Sequence, residues 1–216
     1  MLPTSLQTFT LALALVPSLA SSAAILPRSR NVTVTSVSTQ GTGCPNGTVS
    51  TTIKDDNDGT AIAFGFDNFQ TFYGPSYLPN QRAKNCVIDL KLSYHPVGDK
   101  FEIADATYHG SARLDIGMQG MIASSYRFTS NSAGDGSVQT QAEAAGELVG
   151  DYTKTVAIPK GSRIASPCGA EQAGLQISTR VALRSTNVIT SGMVEEGSPF
   201  SLDAHLVRLR WSICED

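Results

Sequence analysis

Asp105, His109 and Asp115 are the side chains whose types and spacing come closest to a proton-transfer site. A carboxylate can orient an imidazole or exchange a proton with it, and two carboxylates flanking a glycosidic bond can divide the acid and nucleophile roles. Lys100 to Tyr108 reads as a strand in which Phe101 and Ile103 set the buried phase, and Asp105 and His109 follow that same phase. Polar groups turned into a core would need partners there. A β-bulge between Ile103 and Tyr108 that re-aims both side chains outward is the expectation, and convergence with Asp115 in a cleft is the arrangement that would make a site. The other histidines, His95 and His205, lie in no Gly-x-Ser-x-Gly elbow or His-Glu-x-x-His helix, and neither does His109. Asp67, Asp89 and Glu102 also lie on or beside expected strands, Asp89 on the solvent phase.

A second kind of chemistry is aromatic. Phe69, Phe72, Tyr73 and Tyr77 occupy a stretch punctuated by Gly74-Pro75 and Pro79. A flat ring with a polar tip suits a sugar, so Tyr73 and Tyr77 are the candidate ligand contacts, while Phe69 and Phe72 are expected to close the end of the core. Asp55-Asp56-Asn57-Asp58-Gly59 concentrates side-chain oxygens, yet its spacing is not that of a calcium loop, and Asp-Gly marks a hairpin turn. No metal and no cofactor is expected.

The elements that must carry these residues are strands. Cys86, Ile88, Leu90, Leu92 and Tyr94 alternate with Asp89, Lys91 and Ser93, the period of a strand with one buried face. With His95-Pro96-Val97-Gly98-Asp99 as the reversal and Lys100 to Tyr108 returning, Lys84 to Gly117 reads as a hairpin with a third strand, Ala112 to Met118, attached. Ile62, Phe64 and Phe66 alternate with small residues, and Leu175 to Leu183 alternates cleanly. In the last strand the apolar phase changes near His205, where a bulge is expected. Many short strands between turns predict an all-β fold, an antiparallel two-sheet β-sandwich of jelly-roll-like or Ig-like type with two disulfides.

The 216 residues suit one core. Residues 1–20, with the apolar run Leu11 to Leu19 and small residues after it, read as a signal peptide, 21–40 as an N-terminal linker or edge strand, and 41–216 as the single sandwich domain. A net charge of −3 with scattered Lys and Arg supplies no field for nucleic acid, and no membrane association is expected once the leader is removed. Export makes Cys44, Cys86, Cys168 and Cys214 two disulfides. Of three pairings, Cys44–Cys86 with Cys168–Cys214 ties each strand to a nearby segment and is the expected one. Asn31-Val-Thr33 and Asn46-Gly-Thr48 are N-glycosylation acceptor patterns.

Gly43-Cys44-Pro45 with Gly47, Phe66-Asp67-x-Phe69 with Gly74, and Lys84-Asn85-Cys86 recur in a recognisable order with Tyr108-x-Gly110, Leu114-Asp115, Pro167-Cys168-Gly169 and Leu209-Arg210-Trp211-x-x-Cys214. From about Gly41 onward this resembles the secreted fungal and bacterial proteins of domain of unknown function 4360. The resemblance implies a secreted domain with paired cysteines and carries no activity.

The residues therefore favour a secreted, extracellular, non-enzymatic domain that binds a cell-wall polysaccharide or an extracellular protein. A glycan-active hydrolase using paired carboxylates is the alternative, and a cell-surface structural protein the third.

Overall fold

Wherever apolar residues recur at every second position the chain is extended, and its apolar side faces another sheet. The computed structural model describes residues 31–56, 59–95, 99–129, 136–185 and 198–214. Their strands are β1 (Asn31–Gln40), β2 (Val49–Asp56), β3 (Gly59–Phe66), β4 (Gln70–Tyr73), β5 (Ala83–His95), β6 (Asp99–Leu114), β7 (Met118–Phe128), β8 (Ser137–Ala145), β9 (Leu148–Ala157), β10 (Gln172–Ser185), β11 (Ser198–Ser201) and β12 (Ala204–Ile213). Short 3₁₀ turns lie at Pro79–Gln81 and Lys160–Ser162.

The first sheet has the order β1-β5-β10-β7-β8, and the second holds β2, β3, β12, β6, β11 and β4, with β9 on β6. Every pairing is antiparallel. In the second sheet β11 and β12 follow one another along the same edge of β6, and β4 and β3 follow one another along theirs. The two interruptions coincide. Phe66 N–H donates to the Asp203 carbonyl and Leu202 N–H to the Phe69 carbonyl, each at 2.9 Å, so neither break leaves these buried backbone groups unpaired.

The core lies between the sheets. Ile88, Leu92, Ile177 and Val181 from the first meet Ile62, Phe64, Ile103 and Val207 from the second. Near one end Tyr94 and Trp211 both stand edge-on to Phe101, at 5.2 and 5.3 Å between centroids. Edge-to-face rings of this kind add about 1 kcal/mol each beyond the area they bury.

Three expectations need correction. Lys84 to Gly117 is not a hairpin with an added strand: β5 pairs with β1 and β10 in the first sheet, whereas β6 pairs with β12, β11 and β9 in the second. Tyr94 and Phe101 face each other across the core instead of along a ladder. The alternation marks which side of each strand is buried and is equally satisfied by either arrangement. Next, Ala112 and Leu114 finish β6 itself, and Ile116 is 71% exposed in the turn that follows. Finally, no bulge sits at His205. The phase changes at Leu202–Asp203, where β11 ends before β12 begins, and His205 points inward with Val207 and Leu209.

A bulge does occur in β6. Arg208 faces Asp105 and Leu209 faces Ile103, which leaves Ala104 as the extra residue. Beyond it Ala106 and Tyr108 are buried, and Asp105 and His109 lie on the outer face.

Cys44 is bonded to Cys86, and Cys168 to Cys214. The first bridge is fully buried and joins the β1–β2 connection to β5. The second ties the segment before β10 to the end of β12, with Cys168 exposed. Residues 31–40 are an edge strand of the first sheet.

Candidate functional site

On the outer face of the first sheet, β1, β5 and β10 bring short polar side chains side by side. Ser38 and Gln176 flank Asp89, and Ser36 and Gly174 flank Lys91. Gly174 puts no side chain on this face, and a Cβ there would collide with the Thr129 hydroxyl. The gap continues into a cleft of about 360 Å³ lined chiefly by Ser36, Ser38, Asp89, Lys91, Thr129 and Gln172. Glycine inside an otherwise regular strand commonly marks such a close approach.

The Asp89 carboxylate in this cleft is held in place. Gln176 Nε2 donates to Asp89 Oδ1 at 2.7 Å, and Arg127 Nε donates to Gln176 Oε1 at 2.8 Å, a relay across β5, β10 and β7. A second relay, at the far end of β10 from the cleft, crosses β10, β7 and β8. Arg184 Nε donates to Gln119 Oε1 at 2.8 Å, Gln119 donates to Glu143, and Gln141 Nε2 donates to the other Glu143 oxygen at 2.8 Å. Asp89, fixed by Gln176, loses little further entropy when a ligand binds.

The residues singled out from sequence lie elsewhere. Asp105 is on the outer face of the second sheet, 3.6 Å from Arg208 Nε. His109, on the same face and strand, has Nδ1 2.8 Å from the Thr153 hydroxyl. Asp115 is exposed in the turn after β6 and accepts from the Ser198 hydroxyl at 3.2 Å. None of the three lines the cleft.

Ser198 also pairs with Tyr73 in the β4–β11 ladder, so Asp115 and Tyr73 are neighbours through one residue. Tyr73 is half-buried, with the Arg82 guanidinium 4.5 Å above its ring. Tyr77 is half-buried and stacked on Phe72 at 4.9 Å. One face of each tyrosine is therefore engaged within the chain. Phe69 is buried against Phe66, but Phe72 is only half-buried and belongs to this ledge, not to the core lid expected of it. Asn46 is exposed in the β1–β2 connection, and Asn31 opens β1.

The sequence signals missed at the cleft were Gly174 before the alternating run of β10 and the polar phase of β5, each ordinary alone. Their adjacency depends on β10 pairing with β5, two strands far apart in the chain.

A polar cluster in the core was also not anticipated. His205 is fully buried, its Nε2 2.9 Å from the Tyr126 hydroxyl and its ring stacked on Tyr108 at 4.7 Å. The Tyr108 hydroxyl reaches the Thr140 hydroxyl at 2.5 Å and that of Tyr126 at 3.2 Å. Burial holds the imidazole down to about 3 and pushes the Tyr126 phenol well above its ordinary range, so both are neutral at physiological pH. Lying fully buried between the two sheets and hydrogen-bonded within itself, this cluster serves their packing. Among the described residues no group of three His, Cys, Asp or Glu side chains could hold a metal ion, and no helix is long and apolar enough to cross a membrane.

Comparison with known proteins places this chain among secreted proteins. An uncharacterized secreted protein of Arthroderma benhamiae is 31% identical over 188 residues, covering 87% of this chain and 74% of the relative. The family model described as "Domain of unknown function (DUF4360)" matches residues 30–214. The chain is a secreted protein and belongs to the DUF4360 family.

Proposed function

We propose that this secreted domain is a non-catalytic binding module for a neutral cell-wall polysaccharide, taken into the cleft between β1, β5 and β10. The observation that carries this is the chemistry of the lining: hydroxyls of Ser36, Ser38 and Thr129, the Gln172 amide, and one carboxylate beside one ammonium. Sugar hydroxyls both donate and accept, and a wall of mixed donors and acceptors meets that need where an apolar wall would not. A protein partner would call for an aromatic or arginine anchor at the centre of the contact, and the cleft lining has neither. Hydrolysis would call for two carboxylates. The cleft has Asp89 alone, already bound by Gln176.

The test is co-sedimentation of the secreted protein with insoluble β-glucan, chitin and cellulose. Pelleting with at least one of them is expected, weakened at least tenfold by the pair Lys91→Ala and Gln172→Ala. Protein that stays in the supernatant with all three, or a pair variant that pellets as well as wild type, overturns the proposal. Release of reducing sugar would move the function to the hydrolase class.

A further inference from the structure

The edges of the sandwich are not equally protected. Among the described strands, β1 and β2 form the outer strands on one side, β1 pairing with β5 and β2 with β3, β8 and β9 form the other side, and β4, only four residues long, ends the second sheet beside β11. An unpaired strand edge invites pairing with another chain unless charge, proline, a bulge or a cover blocks it. β2 carries Lys54 and Asp55, β8 carries Glu143, and β9 carries Asp151 and Lys154. β1, Asn-Val-Thr-Val-Thr-Ser-Val-Ser-Thr-Gln, has no charge and no proline. Among the described residues, its one blunting device is a bulge at Thr35, the extra residue between Val34 and Ser36. From Ser36 to Gln40 the strand runs without interruption and Val37 is 39% exposed.

In the connection after β1, with five residues between them, lies Asn46-Gly47-Thr48. Asn46 is exposed, Gly47 has a φ of 85° with open space around its Cα, and the Thr48 N–H and hydroxyl both turn back to the Pro45 carbonyl at 3.1 and 2.8 Å. The connection that carries it leads from the edge of one sheet to the edge of the other. Cys44, two residues away, is fully buried in its bridge to Cys86 and anchors the base of the turn without covering Asn46.

We infer that Asn46 carries an N-linked glycan and that this glycan is the cover for the uncharged β1 edge. In the transfer, the Asn46 side-chain nitrogen bonds to the anomeric carbon of a lipid-diphosphate-linked oligosaccharide. The carbon–oxygen bond to the diphosphate breaks, the lipid diphosphate leaves with that electron pair, and the amide nitrogen gives up one proton to base. Secretion places the chain where such donors are used, and the hydrated glycan then projects from the turn that joins the two exposed edges.

The test secretes the full chain from a eukaryotic host and maps peptides after enzymatic deglycosylation in heavy-oxygen water. Conversion of residue 46 to a heavy-labelled aspartate is expected, retained in Thr48→Ser and lost in Thr48→Ala. A wholly unmodified Asn46 peptide overturns the inference. For the cover, folded wild-type protein before and after deglycosylation, together with Asn46→Gln, is followed by analytical ultracentrifugation. A several-fold rise in dimer or larger species is expected on loss of the glycan, suppressed when Val37→Lys is added. Unchanged monomer in both glycan-free forms overturns the protective role.

Discussion

The Tyr126 hydroxyl lies 2.9 Å from His205 Nε2 in the space between the two sheets, with Phe64 and Tyr108 against the imidazole ring. His205 Nδ1 has no hydrogen-bond partner among the described residues. A cation there would be desolvated and unpaired, which is why the folded protein holds this group down to about 3, against about 6.5 in the unfolded chain.

Between those two values the unfolded chain binds a proton at residue 205 that the folded chain refuses. The contribution of neutral His205 is therefore complete above about pH 6.5 and is lost as pH falls toward 3, by about 1.4 kcal/mol per pH unit. Urea denaturation at a series of pH values should show this slope in wild type. His205→Phe should lose that part of the slope while retaining the slope from carboxylates.

The two bridges should open in sequence. Cys44 and Cys86 are completely buried, whereas Cys168 is exposed, and exchange needs an attacking thiolate to reach a sulfur. Graded reduction followed by alkylation and mass spectrometry should label Cys168 and Cys214 first. Replacing Cys44 and Cys86 by alanine together should cost about 4 kcal/mol in the chain-entropy account, for a loop spanning 42 residues.

Gly110 sits where β6 passes β11 and β9. A Cβ on it would run into the Ser201 carbonyl and the Tyr152 hydroxyl, which is itself bonded to that carbonyl. Backbone held in a central sheet cannot give way cheaply, so Gly110→Ala should destabilise the fold by roughly 1–3 kcal/mol. Gly161→Ala, with open space around it, is the control. Thermal melts of the two variants should separate clearly.

Gln176→Ala should separate binding from stability. The amide bridges Asp89 and Arg127 on a solvent-facing surface, where such contacts are worth less than about 1 kcal/mol. The melting temperature should hardly move, while polysaccharide retention should fall as Asp89 loses its orientation.

Much of this was legible in the residues themselves. Alternation of period two assigned the inward side of β5, β3 and β10, because a strand in a sandwich buries one face whatever its neighbours are. The phase break after Ile103 called for a bulge, and the bulge at Ala104 is what turns Asp105 and His109 out of the core. A chain of exported character with four cysteines pointed to a stapled, secreted domain.

Only the tertiary structure decided which strands are neighbours. Hydrogen bonding along a ladder is nearly independent of side-chain identity, so β5 could pair with β6 or with β10 on the same pattern of residues. The choice of β10 brings Gly174 beside Lys91 and makes the cleft. It also sends β6 to the opposite sheet, which parts Asp105 and His109 from the cleft and sets His205 between Tyr108 and Tyr126. Asp105, His109 and Asp115 drew attention because their types suit proton transfer. Their separation across an outer face and a turn was set by long-range pairing, which residue type and spacing do not encode.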